Sequence, residues 1–234
     1  MPSTSTETAR ALLQELDPGA THRDVDASLR AAGWTPCGTG DWAWALRSPD
    51  GSVVARISPF DPAAPYAAMF YRQASDTGQV PALFGHRVLD GGGDLTLMEP
   101  LGPVPEPEAS TFLHAVAAGA PEVAELAGHV RQVHARGAAE QPRWGPLDSN
   151  PANVMRGADG RLVLTDPYYA DGPNLYRTVL EDPDRVVRAF PAARRRFMTE
   201  LPLAGSGGWP DGDAERMRQA IAAADARLSA ADGR

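Results

Sequence analysis

Two aspartates and an asparagine, Asp148, Asn153 and Asp166, flank a short segment whose sequence predicts a hairpin over residues 154–165. A hairpin returns the chain to the edge at which it started, so the three side chains are expected at the same end. Phosphoryl transfer from ATP needs such a set: a carboxylate that accepts the proton of the attacking hydroxyl, and an amide oxygen and a second carboxylate that bind Mg²⁺. Each residue alone fits a turn or a strand end, but their joint order and spacing favour a site.

The order of these residues resembles the catalytic loop and the metal-binding aspartate of protein-kinase-like enzymes. The branch that it resembles most is the aminoglycoside phosphotransferase-like family, in which the helix before the loop commonly ends in Leu-His-Ala. The corresponding residues here are Val133-His134-Ala135. The resemblance implies ATP and Mg²⁺ as cofactors. It also implies site roles, with Asp148 as the catalytic base and two metal ligands, Asn153 and Asp166.

The upstream half of the chain is similar to the same family in order and spacing. The family anchors the ATP phosphates with a basic residue on the third strand, where this chain has Arg56. Strand alternation puts Val54 on the face of Arg56, so the resemblance implies that Val54 lines the adenine pocket. The sequence PLME resembles the hinge, which implies that backbone groups near Glu99 and Leu101 meet the adenine. Two glycines stand where the family has its phosphate-covering loop, Gly38 and Gly40.

The resemblance spans roughly residues 34–185 and includes three departures. Pro146 replaces the histidine that the family has two residues before the aspartate, so the loop must be held in another way. Asn150 replaces a basic residue that would stabilise the transferring phosphoryl group. No glutamate occurs over residues 60–97 to pair with Arg56. The substitutes that the sequence offers are Asp61, Gln73 and an N-terminal helix.

The elements that must position these residues follow from the apolar periodicity. Helical spacing predicts helices over residues 6–16, 21–32, 66–75 and 121–136. Thr21 with Asp24 predicts a capping pair at the start of the second helix, and Gly137 predicts the end of the fourth. Alternating patterns that flank glycine-containing turns predict two further hairpins, over residues 42–58 and 82–98.

These elements predict an α+β fold with two lobes, similar to that of protein kinases. Residues 1–33 are expected to form an N-terminal helical extension, and residues 34–99 a small antiparallel-sheet lobe with one helix. The proline-rich residues 99–107 mark the passage to a mainly helical lobe over residues 100–234. The helical lobe is expected to carry the catalytic loop and the helices that contact the substrate.

Composition excludes several other chemistries. All 22 basic residues are arginine, and the 234-residue chain contains no lysine. A Walker A loop requires lysine against the phosphates, and pyridoxal phosphate enzymes and class I aldolases require a lysine Schiff base. The single cysteine, Cys37, has no partner for an internal disulfide and fits a small residue in a strand.

The charge pattern and the hydropathy bear on partners and location. The net charge is −8, and no basic face indicates a nucleic-acid partner. The run over residues 194–196 is the one cluster of arginines, and its helical context favours a solvent-exposed face. The sequence contains neither a membrane-spanning apolar run nor a secretory signal pattern, so no membrane partner is predicted and a cytoplasmic location is expected. The sequence does not define an oligomeric state.

Three functions fit these observations. The first is transfer of the ATP γ-phosphoryl group to a hydroxyl of a small molecule such as an antibiotic or a metabolite. The second is a peptide or protein Ser/Thr kinase in a tailoring pathway, because little chain follows Asp166 to enclose a small substrate. The third is a pseudokinase that binds a nucleotide or a partner, because Pro146, Asn150 and the missing glutamate depart from the family.

The acidic residues within 181–184 bear on the acceptor. They could meet a cationic aminoglycoside, or they could form a helix start rich in acidic residues, which is the favoured interpretation.

Overall fold

The computed structural model describes residues 4–170 and 172–232. The strands are β1 Thr35–Thr39, β2 Trp44–Arg47, β3 Val54–Ser58, β4 Leu83–Val88, β5 Asp94–Met98, β6 Gly102–Pro103, β7 Val154–Arg156 and β8 Leu162–Leu164. The helices are α1 Thr4–Glu15, α2 His22–Ala31, α3 Ala64–Gln73, α4 Glu106–Ala118, α5 Ala124–Glu140, α6 Gly172–Glu181, α7 Pro183–Ala189, α8 Ala192–Arg195 and α9 Asp213–Asp232. No helix within the described ranges combines the length and the apolar content that a membrane crossing requires.

Five antiparallel strands form the sheet of the first lobe, in the order β1-β2-β3-β5-β4, and the second lobe is mainly helical. The α+β, two-lobed fold class predicted from the sequence is therefore confirmed, with α3 as the helix of the sheet lobe. The predicted hairpins correspond to β2-β3, β4-β5 and β7-β8. Strand β6 pairs with β7, so the chain leaves the sheet lobe by joining the small sheet that follows the loop of Asp148.

Helices α1 and α2 cover one face of the five-stranded sheet. Their buried Ala9, Val25 and Leu29 share an apolar core with Ile57 and Leu95 of the sheet. The capping box predicted from Thr21 and Asp24 is present at the start of α2. Because side chains alternate along a strand, the other face of β3 is left for Val54 and Arg56, which both line the cavity between the lobes.

Helix α5 runs past the end predicted for it. Gly137 was expected to end the helix, but the helix continues to Glu140. The glycine is needed for packing instead, because a Cβ atom at this position would lie 2.3 Å from the Trp144 ring. The absence of a side chain lets Trp144, which precedes the loop of Asp148, pack closely against the helix.

The arginine run was expected to form a solvent-exposed face, and this prediction is wrong for Arg195. Its side chain is buried, donates to the Phe190 carbonyl at 2.6 Å and pairs with Asp225 of α9. The same segment packs against the β4-β5 turn of the sheet lobe. Gly92 has a φ of 92°, and a Cβ atom on it would lie 1.9 Å from the Arg194 carbonyl oxygen. The helical lobe therefore reaches back to the sheet lobe here.

Candidate active site

One cavity of about 1070 Å³ lies between the sheet lobe and the helical lobe. Every residue proposed for the site from the sequence lines it, namely Gly38, Gly40, Val54, Arg56, Glu99, Leu101, Asp148, Asn153 and Asp166. These residues are separated by up to 128 positions along the chain, from 38 to 166, so only the fold brings them together. Their roles stay predictions.

The loop that carries Asp148 is held by main-chain hydrogen bonds. The amide of Asp148 donates to the Pro167 carbonyl, and the amide of Gly145 donates to the Tyr169 carbonyl, both at 3.0 Å. His134 of α5 adds a contact, with its Nε2 atom 3.3 Å from the Gly145 carbonyl oxygen. This pairing with the segment after β8 fixes the loop despite Pro146.

The Asp148 side chain is half-buried and tied down on one side. Its Oδ1 atom accepts the amide proton of Asn150 at 2.9 Å, and Asn150 in turn accepts from the Ala152 amide at 3.0 Å. Asn150 therefore works as a turn former, which is a structural role for the residue that replaces the basic one. The Oδ2 atom of Asp148 has no hydrogen-bond partner within the described part of the chain. The carboxylate can therefore still accept a proton.

Asn153 is oriented by contacts with the end of β8. Its side-chain Nδ2 group donates to the main-chain carbonyl of Asp166 at 3.1 Å. The main-chain carbonyl of Asn153 accepts from the Thr165 amide at 2.7 Å. Because the amide nitrogen is committed in this way, the side-chain oxygen is the atom left for a ligand.

A magnesium ion fits this donor set, because Mg²⁺ prefers oxygen ligands and commonly uses one or two protein groups together with phosphate oxygens and water. Asn153 would supply an amide oxygen and Asp166 a carboxylate. No cluster of three or more His, Cys, Asp or Glu side chains suited to a metal occurs in residues 4–170 and 172–232.

Asp166 has a strained backbone that Tyr71 helps to hold. Its φ of 42° is left-handed, and the following residue, Pro167, restricts it further. The amide of Asp166 donates to the Tyr71 hydroxyl oxygen at 3.1 Å, and that hydroxyl lies 3.5 Å from Oδ1 of the carboxylate. Burial raises the pKa of Tyr71 well above its usual value, so the hydroxyl keeps its proton. No local sequence pattern indicates this contact between α3 and the end of β8.

Arg56 lies between two carboxylates. Its Nε atom is 3.0 Å from Oδ2 of Asp166, and its NH2 group is 3.0 Å from Oδ2 of Asp61. Asp61 also accepts the amide protons of Ala63 and Ala64 at 3.0 Å, at the start of α3. Asp61, one of the three substitutes considered from the sequence, is therefore the carboxylate that pairs with Arg56 in place of the missing glutamate.

Burial and charge act in opposite directions on this pair. Although burial alone lowers the pKa of Arg56, the charges of Asp166, Asp61 and Asp94 raise it above its ordinary value. Burial raises the pKa of Asp61 to about 6, while the charge of Arg56 opposes the rise. The guanidinium is therefore charged at every accessible pH, whereas Asp61 can take up a proton in mildly acidic solution.

Glu99 fixes the predicted hinge. Its amide donates to the Ala82 carbonyl at 3.1 Å, so this amide is already used and is not free for an adenine. Its carboxylate accepts from the Ala82 amide at 2.8 Å and pairs with Arg161 of the β7-β8 hairpin. The groups that remain for the predicted hinge contact with adenine are the Glu99 carbonyl and the backbone of Leu101.

The glycine-containing β1-β2 hairpin is fastened to the helical lobe through Asp41. The carboxylate of Asp41 accepts from the Ser206 amide at 2.9 Å and from the Ser206 hydroxyl at 2.6 Å. The Asp41 carbonyl also accepts from the Leu203 amide at 3.1 Å. We call this set of contacts the clasp. The clasp closes one side of the cavity, and these contacts were not predicted from the sequence.

No protein-family model matches this chain, and no curated protein sequence matches it. Several solved structures are similar in part. The macrolide 2′-phosphotransferase of Brachybacterium faecium is 16% identical with a TM-score of 0.30, covering 91% of this chain and 94% of its own. An aminoglycoside phosphotransferase of Streptomyces rimosus is 19% identical with a TM-score of 0.33, covering 88% and 99%. A drought-responsive pseudokinase is 12% identical with a TM-score of 0.34, covering 87% and 88%. With TM-scores this low, no property of these proteins is transferred to the chain.

The arrangement of the cavity itself therefore carries the chemical argument. One space is lined by three kinds of group. They are the buried guanidinium of Arg56, the amide oxygen of Asn153 beside the Asp166 carboxylate, and the Asp148 carboxylate with its free oxygen. Such a set can bind a polyphosphate with its metal and receive a proton from a second molecule.

Proposed function

We propose that this chain is an ATP-dependent phosphotransferase that moves the γ-phosphoryl group to a hydroxyl of a small molecule. The observation that carries the proposal is that Arg56, Asp148, Asn153 and Asp166 line a single cavity between the lobes. Each of the four could be explained alone as a structural residue, but their convergence from two lobes on one space is what phosphoryl transfer requires.

Each side chain has a distinct role in this proposal. Arg56 holds the α- and β-phosphates with a charge that pH does not remove. Asn153 and Asp166 would hold Mg²⁺, which when bound neutralises charge on the phosphates. Asp148 orients the acceptor hydroxyl. As the hydroxyl oxygen forms its bond to the γ-phosphorus, the bond to the ADP oxygen breaks and the hydroxyl proton passes to Asp148.

A small acceptor is favoured over a peptide by the enclosure of the cavity. Residues of α6, α9 and the loop between residues 201 and 212 line its far side. The clasp between Asp41 and Ser206 closes another side. A peptide substrate needs an open groove through which its chain can enter and leave, and these contacts restrict such a path.

A nucleotide-binding module with little transfer activity is the second candidate. It is favoured by one contact, the ion pair between Arg56 and Asp166 at 3.0 Å, which joins the proposed phosphate anchor to the proposed metal ligand. Asn150 adds to this case because it supplies no positive charge near the transferring group. Both candidates require nucleotide binding, and they differ in what happens afterwards.

Nucleotide binding is tested by thermal unfolding with and without Mg-ATP. A ligand that binds only the folded state raises the melting temperature, so a clear rise is expected for the native chain. Asp166→Asn is expected to remove most of the rise, because it takes away the charged metal ligand. Asp159→Asn, at the exposed turn of the same hairpin and away from the cavity, is the matched control and should keep it. A native chain whose unfolding ignores every nucleotide would rule out both candidates.

A further inference from the structure

The far wall of the cavity is built from the C-terminal part of the chain and is largely apolar. Tyr176 and Leu180 come from α6, Leu203 and Trp209 from the loop between residues 201 and 212, and Met217 from α9. The Tyr176 and Trp209 rings meet edge to face with their centroids 4.9 Å apart. This wall lies in the same cavity as Asp148, so it is the surface available to a phosphoryl acceptor.

The polar atoms of the two aromatic residues are turned into the protein. The Trp209 indole Nε1 donates to the Leu201 carbonyl, and the Tyr176 hydroxyl donates to the Met198 carbonyl, both at 2.9 Å. With these donors already used, the rings offer apolar surface to the cavity. Leu180 is 42% exposed and extends the same surface towards the cavity mouth.

Carboxylates are scarce among the residues of this wall that the structure describes. Asp213 lines it, but it pairs with Arg216, and the other charged side chain that α6 and α9 place there is Arg177. Two of the three acidic residues within 181–184 take part in the fold, as the helix-start interpretation favoured. Asp182 caps α7 through the Arg185 amide at 3.2 Å, and Asp184 lies 2.5 Å from Arg227 of α9.

We propose that the phosphoryl acceptor is an alcohol with a flat, apolar body and no cluster of positive charges. Its body packs against Trp209, Tyr176 and Leu180, and its hydroxyl reaches Asp148. A polycation would need several unpaired carboxylates to replace its hydration, and the described residues of this wall do not offer them. The inference rests on the proposed function for the transfer step, whereas binding to the wall can be measured without nucleotide.

The test is binding to the full chain in the absence of nucleotide, measured by tryptophan fluorescence and by equilibrium dialysis. The probes are a set of neutral polycyclic alcohols, including 2-naphthol, a flavonol and a sterol, and a set of polyamines, including spermine and neomycin. We expect at least one alcohol to bind more tightly than every polyamine. Adenosine, which should occupy the other end of the cavity, is not expected to displace it.

Leu180→Asp locates the bound alcohol. Leu180 is exposed enough that its replacement should not prevent folding, and a charge on the wall is expected to weaken alcohol binding by about fivefold or more. Val88→Asp is the matched control, because Val88 is 43% exposed and lies outside the cavity. It should leave binding unchanged.

Three results would overturn the inference: polyamines that bind more tightly than every alcohol, an alcohol that adenosine displaces, or equal binding to the native chain and to Leu180→Asp. Loss of the proposed function has a different signature. Alcohol binding that depends on Leu180, in a chain whose melting temperature ignores Mg-ATP, would preserve the apolar site and reject the kinase activity. A rise of the melting temperature with Mg-ATP, without alcohol binding, would preserve the nucleotide site and reject the apolar acceptor site.

Discussion

Arg56 is the residue on which the proposed nucleotide side of the cavity depends. Its guanidinium joins Asp61, at the start of α3, to Asp166, at the end of β8, and thereby links the two lobes. The sequence lacks the glutamate expected to pair with Arg56, and Asp61 was one of three substitutes considered. The sequence could not choose among them, because the choice depends on where α3 begins and on how its first turn faces β3.

Replacing Arg56 tests the phosphate anchor. Arg56→Ala is expected to weaken Mg-ATP binding by about 1.5 to 3 kcal/mol, the scale of a charge-assisted hydrogen bond. Arg56→Lys should retain part of the affinity, because the charge survives while the planar fork is lost. Isothermal titration of folded protein gives both values. Equal affinity in all three proteins would mean that the phosphates bind elsewhere.

Asp61 is expected to give the stability a specific pH dependence. The pKa of Asp61 is about 6 in the folded state, against an ordinary value of 3.8. Protonation of Asp61 therefore stabilises the folded state relative to the unfolded state. This contribution is fully present below about pH 4 and is lost as the pH rises through about 6. Relative to Asp61→Asn, which cannot titrate, the native chain should gain up to about 3 kcal/mol of unfolding free energy between pH 7 and pH 4.

Urea denaturation across that range, performed on both proteins in parallel, measures the difference. If the native chain instead loses stability relative to Asp61→Asn as the pH falls, then Arg56 outweighs burial and lowers the pKa of Asp61.

At the scale of elements, the clasp joins the β1-β2 hairpin to the loop after α8. Two of its hydrogen bonds end on the Asp41 carboxylate, and a third ends on the Asp41 carbonyl. The hairpin is therefore fixed from the other lobe as well as by its own strand pairing.

Asp41→Ala should loosen the β1-β2 hairpin. Losing two hydrogen bonds to an exposed carboxylate costs about 1 to 2 kcal/mol, so local opening should become roughly 5 to 30 times more frequent. Hydrogen exchange at the amides of residues 38–43 and 203–206 reports this change. Ser206→Ala is expected to have a smaller effect, because the main-chain bond to Asp41 remains. Identical exchange in Asp41→Ala and the native chain would show that strand pairing alone holds the hairpin.

The elements that the sequence predicted well are those defined by local pattern. Alternation and glycine turns gave the hairpins, and the Thr21–Asp24 pair marked the start of α2. The errors and omissions came from contacts that lie outside these local patterns. Gly137 carries a local helix-end signal, but its use is set by Trp144, and Tyr71 reaches Asp166 across 95 positions. Burial of Arg195 likewise depends on Asp225, which lies on another helix.

At the scale of the whole molecule, the C-terminal part of the chain contacts both lobes. Glu200 lies 2.6 Å from Arg23 and 3.2 Å from the buried His22 of α2, and the Phe197 ring meets the His22 ring with centroids 4.7 Å apart. Together with the clasp, these contacts bind the helical lobe to the sheet lobe and to the helix α2 that covers it. The C-terminal part of the chain therefore holds the two lobes together as well as lining the cavity.

The sequence could indicate the nucleotide half of this cavity but not the acceptor half. Asp148, Asn153 and Asp166 stand in an order that has chemical meaning by itself, so their convergence was predictable. Trp209 and Leu180 carry no such order, and their place on one wall follows from the packing of α6 against α9. The proposal for the acceptor therefore rests on the fold and not on a sequence pattern.

Asp148 is the residue whose replacement distinguishes a catalyst from a nucleotide-binding module. In the proposed function its carboxylate acts on the acceptor hydroxyl, whereas Asn153 and Asp166 would hold the metal that accompanies the nucleotide. The decisive measurement compares Asp148→Ala with the native chain in Mg-ATP affinity and in transfer of labelled γ-phosphate, either to acceptor alcohols or, more slowly, to water. Asp159→Ala serves as the control.

We predict nearly unchanged affinity for Asp148→Ala, with transfer lowered about a hundredfold or more, the usual range for a positioned general base. A native chain that binds Mg-ATP but transfers phosphate to neither acceptor nor water, or an Asp148→Ala variant as fast as the native chain, would contradict the proposed catalysis.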